Sequence, residues 1–203
     1  LYTSYGQVND VQEATVPKTY RETATRINDL VHTKLDARFD FDKSWMYGKV
    51  WITLKPHFYA TDSLTLDAKG MDIKSVALVS GKSTTPLKYV YDGLNLRISL
   101  NKTYKGSETY TVYVDYVAKP NELTVKGSAA ITDAKGLYFI NPKGEEKNKP
   151  TQIWTQGETE ATSVWCPTID RTEQKCTEEI AMTVPAKFVT LSNGKLVIQK
   201  KNA

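Results

Sequence analysis

Leu30-Val31-His32-Thr33-Lys34-Leu35-Asp36-Ala37-Arg38-Phe39 sets Val31, Thr33, Leu35, Ala37 and Phe39 against the more polar His32, Lys34, Asp36 and Arg38. A two-residue period is that of a half-buried strand, because successive side chains of an extended chain point to opposite faces. Residues 1–27 lack this period. They are polar, with Tyr2, Tyr5, Val16 and Tyr20 as the few anchors, and read as an arm packed on the domain. The segment 21–26 is too short to make a helix on its own. Residues 28–203 then read as one domain.

Runs of strand character follow at 47–54, 63–66, 73–79, 87–91, 94–100, 109–117 and 137–140, and again at 180–184, 188–191 and 196–198. Turn signals separate them: Lys69-Gly70, Ser80-Gly81, Asp92-Gly93, Lys105-Gly106 and Ser192-Asn193-Gly194. Asp92-Gly93 predicts a type I′ hairpin, since both residues tolerate positive φ. The stretch 119–134 is looser and polar. Many short strands without a strong helix predict an all-β fold, with twisted antiparallel sheets forming a saddle-like β-sandwich and little helix. The last strand run stops just before Ala203, and the sheet edge expected there would be covered by a polypeptide that continues.

A chain of 203 residues can bury a real core. Its net charge of +4 is spread out with no long block of one sign, so nucleic-acid binding is not indicated. The Lys143 to Lys149 run mixes signs and reads as a solvated loop. No apolar run approaches the roughly 20 residues of a membrane helix, so no membrane span is expected. The chain begins at Leu1, which is compatible with a secreted or periplasmic protein whose signal has been removed; the compartment stays open. Cys166 and Cys176 are too few for a disulfide framework and too far apart for a Cys-x-x-Cys site. Two core thiols are the default, and a bridge would need Cα atoms within about 7 Å.

Thr151-Gln152-Ile153-Trp154-Thr155-Gln156-Gly157-Glu158-Thr159-Glu160 begins as a strand and ends in two acids beside a glycine. Alternation would send Gln152, Trp154, Gln156, Glu158 and Glu160 to one face, where the amide and the carboxylates would share a cleft. A carboxylate held in such a cleft suits an ammonium group, since charge-assisted hydrogen bonds are the stronger kind. A strand edge blunted by charge accounts for the same residues without a ligand.

Groups for catalysis are missing. His32 and His57 are the two histidines, and neither stands in an H-E-x-x-H spacing that could hold zinc. There is no G-x-S-x-G elbow, and neither Lys126-Gly127-Ser128 nor the Gly157 region looks like a phosphate cradle. Glu158 and Glu160 on one strand face would lie roughly 7 Å apart, between the spacings of retaining and inverting glycosidases.

Residues 154–177 carry a resemblance. Thr155-Gln156-Gly157-Glu158-Thr159-Glu160, followed by Trp165, Pro167, Asp170 and Lys175-Cys176-Thr177, is similar to the end of the N-terminal domain in zinc aminopeptidases of the aminopeptidase N family. There the pattern is Gln-x-Glu, an aromatic-Pro-x-x-Asp-x-Pro turn, then Lys-Ala-Thr and a strand. Leu30 to Asp36, Tyr47-Gly48-Lys49-Val50, Leu64-Thr65-Leu66-Asp67-Ala68 and Gly136-Leu137-Tyr138-Phe139 agree, so the similarity runs from Tyr20 to Ile198. It implies a saddle-shaped β domain that packs on a separate catalytic domain of the same protein, where zinc would be bound. This chain alone is then predicted to be inactive. By motif match, Glu158 would hold the free α-ammonium of a peptide substrate and Gln156 would lie beside the pocket for the first side chain, with Gly157 and Glu160 as further candidates. Two positions depart from the pattern: Cys166 stands where an aromatic precedes the proline, and Thr172 where a second proline is expected. A Cys166–Cys176 bridge could replace the lost apolar burial.

Two other classes fit the residues. One is an interaction or carbohydrate-binding module, supported by four Trp and twelve Tyr, although Tyr110, Tyr113 and Tyr116 would be spread over both strand faces. The other is an aminopeptidase-like scaffold that has lost catalysis.

Overall fold

The alternation at residues 30–39 lies within β1, Asn28–Asp40, which forms an antiparallel pair with β2, Trp45–Pro56. The computed structural model describes residues 25–123 and 134–201. Most of the N-terminal arm and the Lys126-Gly127-Ser128 loop therefore lie outside the described residues. The remaining strands are β3 Thr61–Asp67, β4 Met71–Ser80, β5 Ser83–Pro86, β6 Tyr89–Tyr91, β7 Asn95–Tyr104, β8 Tyr110–Ala118, β9 Leu137–Ile140, β10 Gln152–Thr155 and β11 Thr177–Thr183. They form a six-stranded sheet in the order β11-β1-β2-β8-β4-β5, a three-stranded sheet β3-β7-β6 and a ribbon of β9 and β10. The fold is an all-β sandwich, as the turn-punctuated strand pattern predicts.

Both larger sheets contribute to one core. Leu35, Val50, Ile52, Val76, Val112 and Val114 come from the large sheet, and Leu64, Leu66, Leu96 and Ile98 from the smaller one. Leu137, Phe139 and Cys166 extend that core beneath the ribbon and the segment after it. A register shift between Leu30 and His32 inserts a bulge in β1. As a result Leu30 is buried in place of the expected Val31, while Leu35 and Ala37 still face inward.

Three expectations are corrected. The runs 188–191 and 196–198 are not strands: Val189 is 87% exposed and Leu191 92%, because alternation supplies a pattern but no hydrogen-bonding partner. At the β6–β7 turn Gly93 has φ +89°, but Asp92 keeps negative φ, so the turn is not type I′. The Asp92 carboxylate instead accepts from the N–H groups of Leu94 and Asn95, at 2.9 and 2.6 Å, closing a four-residue loop between Tyr91 and Leu96. Finally β11 runs parallel to β1, with Leu35 opposite Ile180. Ahead of this pairing the Gln174 side chain substitutes for a strand, accepting from Leu30 N at 2.8 Å and donating to Asn28 O at 3.1 Å.

At the centre of the large sheet Gly48 of β2 lies opposite Tyr116 of β8. A Cβ on Gly48 would come within 2.2 Å of the Tyr116 ring, so glycine makes room for that ring to lie across β2. Tyr116 is fully buried, and its hydroxyl donates to the carbonyl of Trp165 at 2.9 Å. Gly48→Ala is expected to destabilise the domain by about 1–3 kcal/mol through overpacking. Tyr116→Phe, which leaves a carbonyl unpaired, is expected to cost about 1 kcal/mol. Chemical denaturation midpoints of the two variants check both.

Candidate functional site

The candidate residues follow the β9–β10 ribbon. Its ladder pairs Trp154 with Tyr138 and Thr155 with Leu137, and Gln156 N adds one more rung to Gly136 O at 2.9 Å. On the outer face Tyr138 and Trp154 stack at 4.4 Å with an interplanar angle of 12°. Here the strand ends, so the expected alternation through Glu158 to Glu160 does not hold. The chain instead turns back, with Ala161 N donating to Gly157 O at 2.9 Å, and a 3-10 helix follows over Thr162–Val164. Two glycines permit this course. A Cβ on Gly136, which has φ +69°, would lie 1.9 Å from Ala161 O, and one on Gly157 would lie 2.6 Å from the Thr162 hydroxyl.

The turn therefore separates the candidates. Gln156 is half-buried, while Gly157, Glu158 and Glu160 are exposed. Glu160 forms an ion pair with Arg171 Nη1 at 2.8 Å, and its main-chain carbonyl accepts from Lys69 Nζ at 2.5 Å. Glu158 is thus the exposed carboxylate of the turn that lies outside the Glu160–Arg171 ion pair.

The segment after the turn is tied down by residues that the sequence does not single out for the purpose. Asp67, at the end of β3, exchanges main-chain bonds with Thr168 at 2.7 and 3.1 Å. Its carboxylate accepts from Asp170 N at 2.9 Å, and the Asp170 carboxylate accepts from Ser163 N at 2.8 Å, satisfying a free N–H of the 3-10 helix. Lys69 N donates to Ser163 O at 2.8 Å. These partners lie about a hundred residues from the loop, and no local spacing connects them. The quoted Leu64 to Ala68 stretch and the Pro-x-x-Asp turn were the available signals.

Both cysteines are free thiols in the structure. Cys166 is buried, and that burial pushes its thiol from 9.0 up to about 12. Cys176 lies 3.8 Å from the Thr33 hydroxyl and is raised in the same direction by partial burial. The histidines serve packing and edge contacts. His32 Nδ1 is 2.7 Å from the Thr177 hydroxyl, and His57 Nδ1 is 2.9 Å from the Asp29 carboxylate. Among the described residues no group of three or more His, Cys, Asp or Glu side chains could hold a metal ion, and no helix is long and apolar enough to cross a membrane. The arrangement offers an exposed anion and an amide on a braced turn. It can bind a cationic or hydrogen-bonding group, and it presents no nucleophile beside a base.

A family model described as the Peptidase M1 N-terminal domain matches residues 16–203. Solved structures share the fold. An M1 zinc metallopeptidase from Deinococcus radiodurans bound to a Tyr-Ser-Ala substrate aligns with TM-score 0.69 and 16% identity, over 87% of this chain and 37% of that one. Yeast LTA4 hydrolase in complex with bestatin aligns with TM-score 0.57 and 20% identity, over 83% of this chain and 26% of that one. The chain thus spans well under half the length of the structures it matches. Among curated proteins nothing matches.

The thiol environments have a measurable consequence. Because the Cys166 pKa is raised in the folded state, its contribution to stability is complete below about pH 9 and is lost as the pH rises towards 12. Iodoacetamide at pH 8 is expected to alkylate native Cys166 far more slowly than Cys176. Both should react once the chain is unfolded without reductant, as read by intact mass. An unreactive unfolded chain would instead establish the Cys166–Cys176 bridge.

Proposed function

The chain belongs to the Peptidase M1 N-terminal domain family, and on that premise we propose that it is the substrate-amine-recognising domain of a zinc aminopeptidase. The observation that carries this is the exposed Glu158 carboxylate, set on a tight turn two residues after the half-buried Gln156 and outside the ion pair that occupies Glu160. Such an anion receives the ammonium of a free peptide N-terminus by a charge-assisted hydrogen bond. Gln156, whose main chain is held on the β9 ladder, lies beside the first side chain, and Gly157 lets the backbone pass close to Thr162.

Fixing the amino end does two things. It admits peptides with a free N-terminus, and it brings the first peptide bond into register with the hydrolytic centre, replacing a costly search in orientation. Zinc, where bound, supplies Lewis-acid chemistry for peptide hydrolysis. On the family reading, that chemistry is assigned to another domain of the polypeptide, the partner against which this one packs. The likeness in fold to an M1 zinc metallopeptidase from Deinococcus radiodurans bound to Tyr-Ser-Ala, of which this chain covers 37%, is in keeping with that reading.

A hydrogen bond to a charged group contributes about 1.5–3 kcal/mol. Glu158→Ala in the full-length polypeptide is therefore expected to lower kcat/KM for an aminoacyl p-nitroanilide by at least about tenfold. Because Glu158 is exposed, the thermal midpoint should hardly change. An unaltered kcat/KM would remove the assignment. Zinc analysis of the same polypeptide should find about one ion per chain, and a metal-free, inactive product would favour a scaffold that only binds partners.

A further inference from the structure

Glu160 stands two residues from Glu158 with the same charge, yet the fold gives it different surroundings. Its carboxylate meets Arg171 Nη1 at 2.8 Å, and its main-chain carbonyl accepts from Lys69 Nζ at 2.5 Å and from the Ser163 hydroxyl at 3.4 Å. Arg171 follows Asp170, which is itself fixed by the Asp67 carboxylate. The ion pair therefore connects the far side of the turn to a rigid base on β3. The near side is held by Gln156 on Gly136, and the turn is closed by Ala161 on Gly157. Glu158 sits between these two anchors.

We infer that Glu160 and Arg171 are positioning residues: their ion pair clamps residues 157–161 so that Glu158 meets a substrate ammonium in a fixed place. The inference rests on the amine-anchoring role proposed for Glu158. The pair is suited to local work, because its side chains are 48% and 39% exposed and an exposed ion pair adds little to global stability. Exposed turns open at small free-energy cost, so a weak tie suffices to shift that equilibrium. A carboxylate already held in place loses less conformational freedom when it binds, so even a weak brace is expected to strengthen substrate binding. Arg171 also faces Asp67 and Glu173, so replacing its charge alters a local balance confined to this corner.

The test uses the full-length polypeptide with Glu160→Gln, Arg171→Gln and the charge swap Glu160→Arg with Arg171→Glu. Two quantities are read: amide hydrogen exchange over residues 157–161, and KM and kcat for an aminoacyl p-nitroanilide. Each single variant should raise exchange at Ala161 and KM by about two- to fivefold with kcat nearly unchanged, and the swap should return both towards wild type. Unchanged exchange in both single variants would show that no clamp exists. Raised exchange with an unchanged KM would show a brace without a binding role. A swap that restores exchange but not KM would place Glu160 on the substrate itself, which also overturns the inference. Failure of the amine-anchor reading shows separately, as a Glu158→Ala variant with wild-type kinetics, and the exchange data still judge the clamp.

Discussion

The ring of Tyr116 on the bare backbone of Gly48 is the constraint on which the rest depends. It joins β8 to β2 at the centre of the large sheet, where any side chain at position 48 would strike it. Burial of a phenol is tolerated when its hydroxyl finds an acceptor, and this one finds the carbonyl of Trp165. A contact deep in the sheet thereby sets the height at which the segment after the 3-10 helix crosses the sandwich. Burial also holds the Tyr116 phenol protonated, well above the usual range, so the hydroxyl remains a donor over the whole neutral range.

From Trp165 the bracing passes outward through groups of falling burial. Cys166 lies in the core, Asp170 and Asp67 lie half-buried with the Asp67 carboxylate accepting from Asp170 N, and Glu160 and Arg171 lie near the surface. The order has an energetic meaning. An unmet main-chain N–H is costly where water is excluded, so the two aspartates answer the N–H groups of Asp170 and Ser163. The exposed ion pair at the outer end answers no buried group. A turn built this way is rooted in the core and tied at its outer end by the exposed ion pair.

The two departures from the aminopeptidase pattern sit within this frame and leave it standing. Cys166, in the place of an aromatic ring, is only 5% exposed and still belongs to the core cluster. Thr172 follows Arg171 on the surface, beyond the last bond to Asp67. The frame is carried by backbone partners and by Asp67, Asp170 and Tyr116, so it does not require the missing ring or the missing proline.

The sequence by itself determined the all-β class, the inward face of most strands, the β9 strand and the family to which the chain belongs, because period-two burial and turn glycines are local properties. It also named Gln156 and Glu158, through a motif rather than through periodicity. Only the tertiary structure decided that the strand stops after Thr155, that Glu160 turns to Arg171, that β11 adds in parallel and that 188–191 remains unpaired. The frame around them depends on partners far along the chain: Asp67 for Asp170, Tyr116 for Trp165, Leu35 for Ile180. Alternation states which face a side chain prefers. Which backbone group lies opposite is decided when distant segments meet, and that meeting set the geometry of the site.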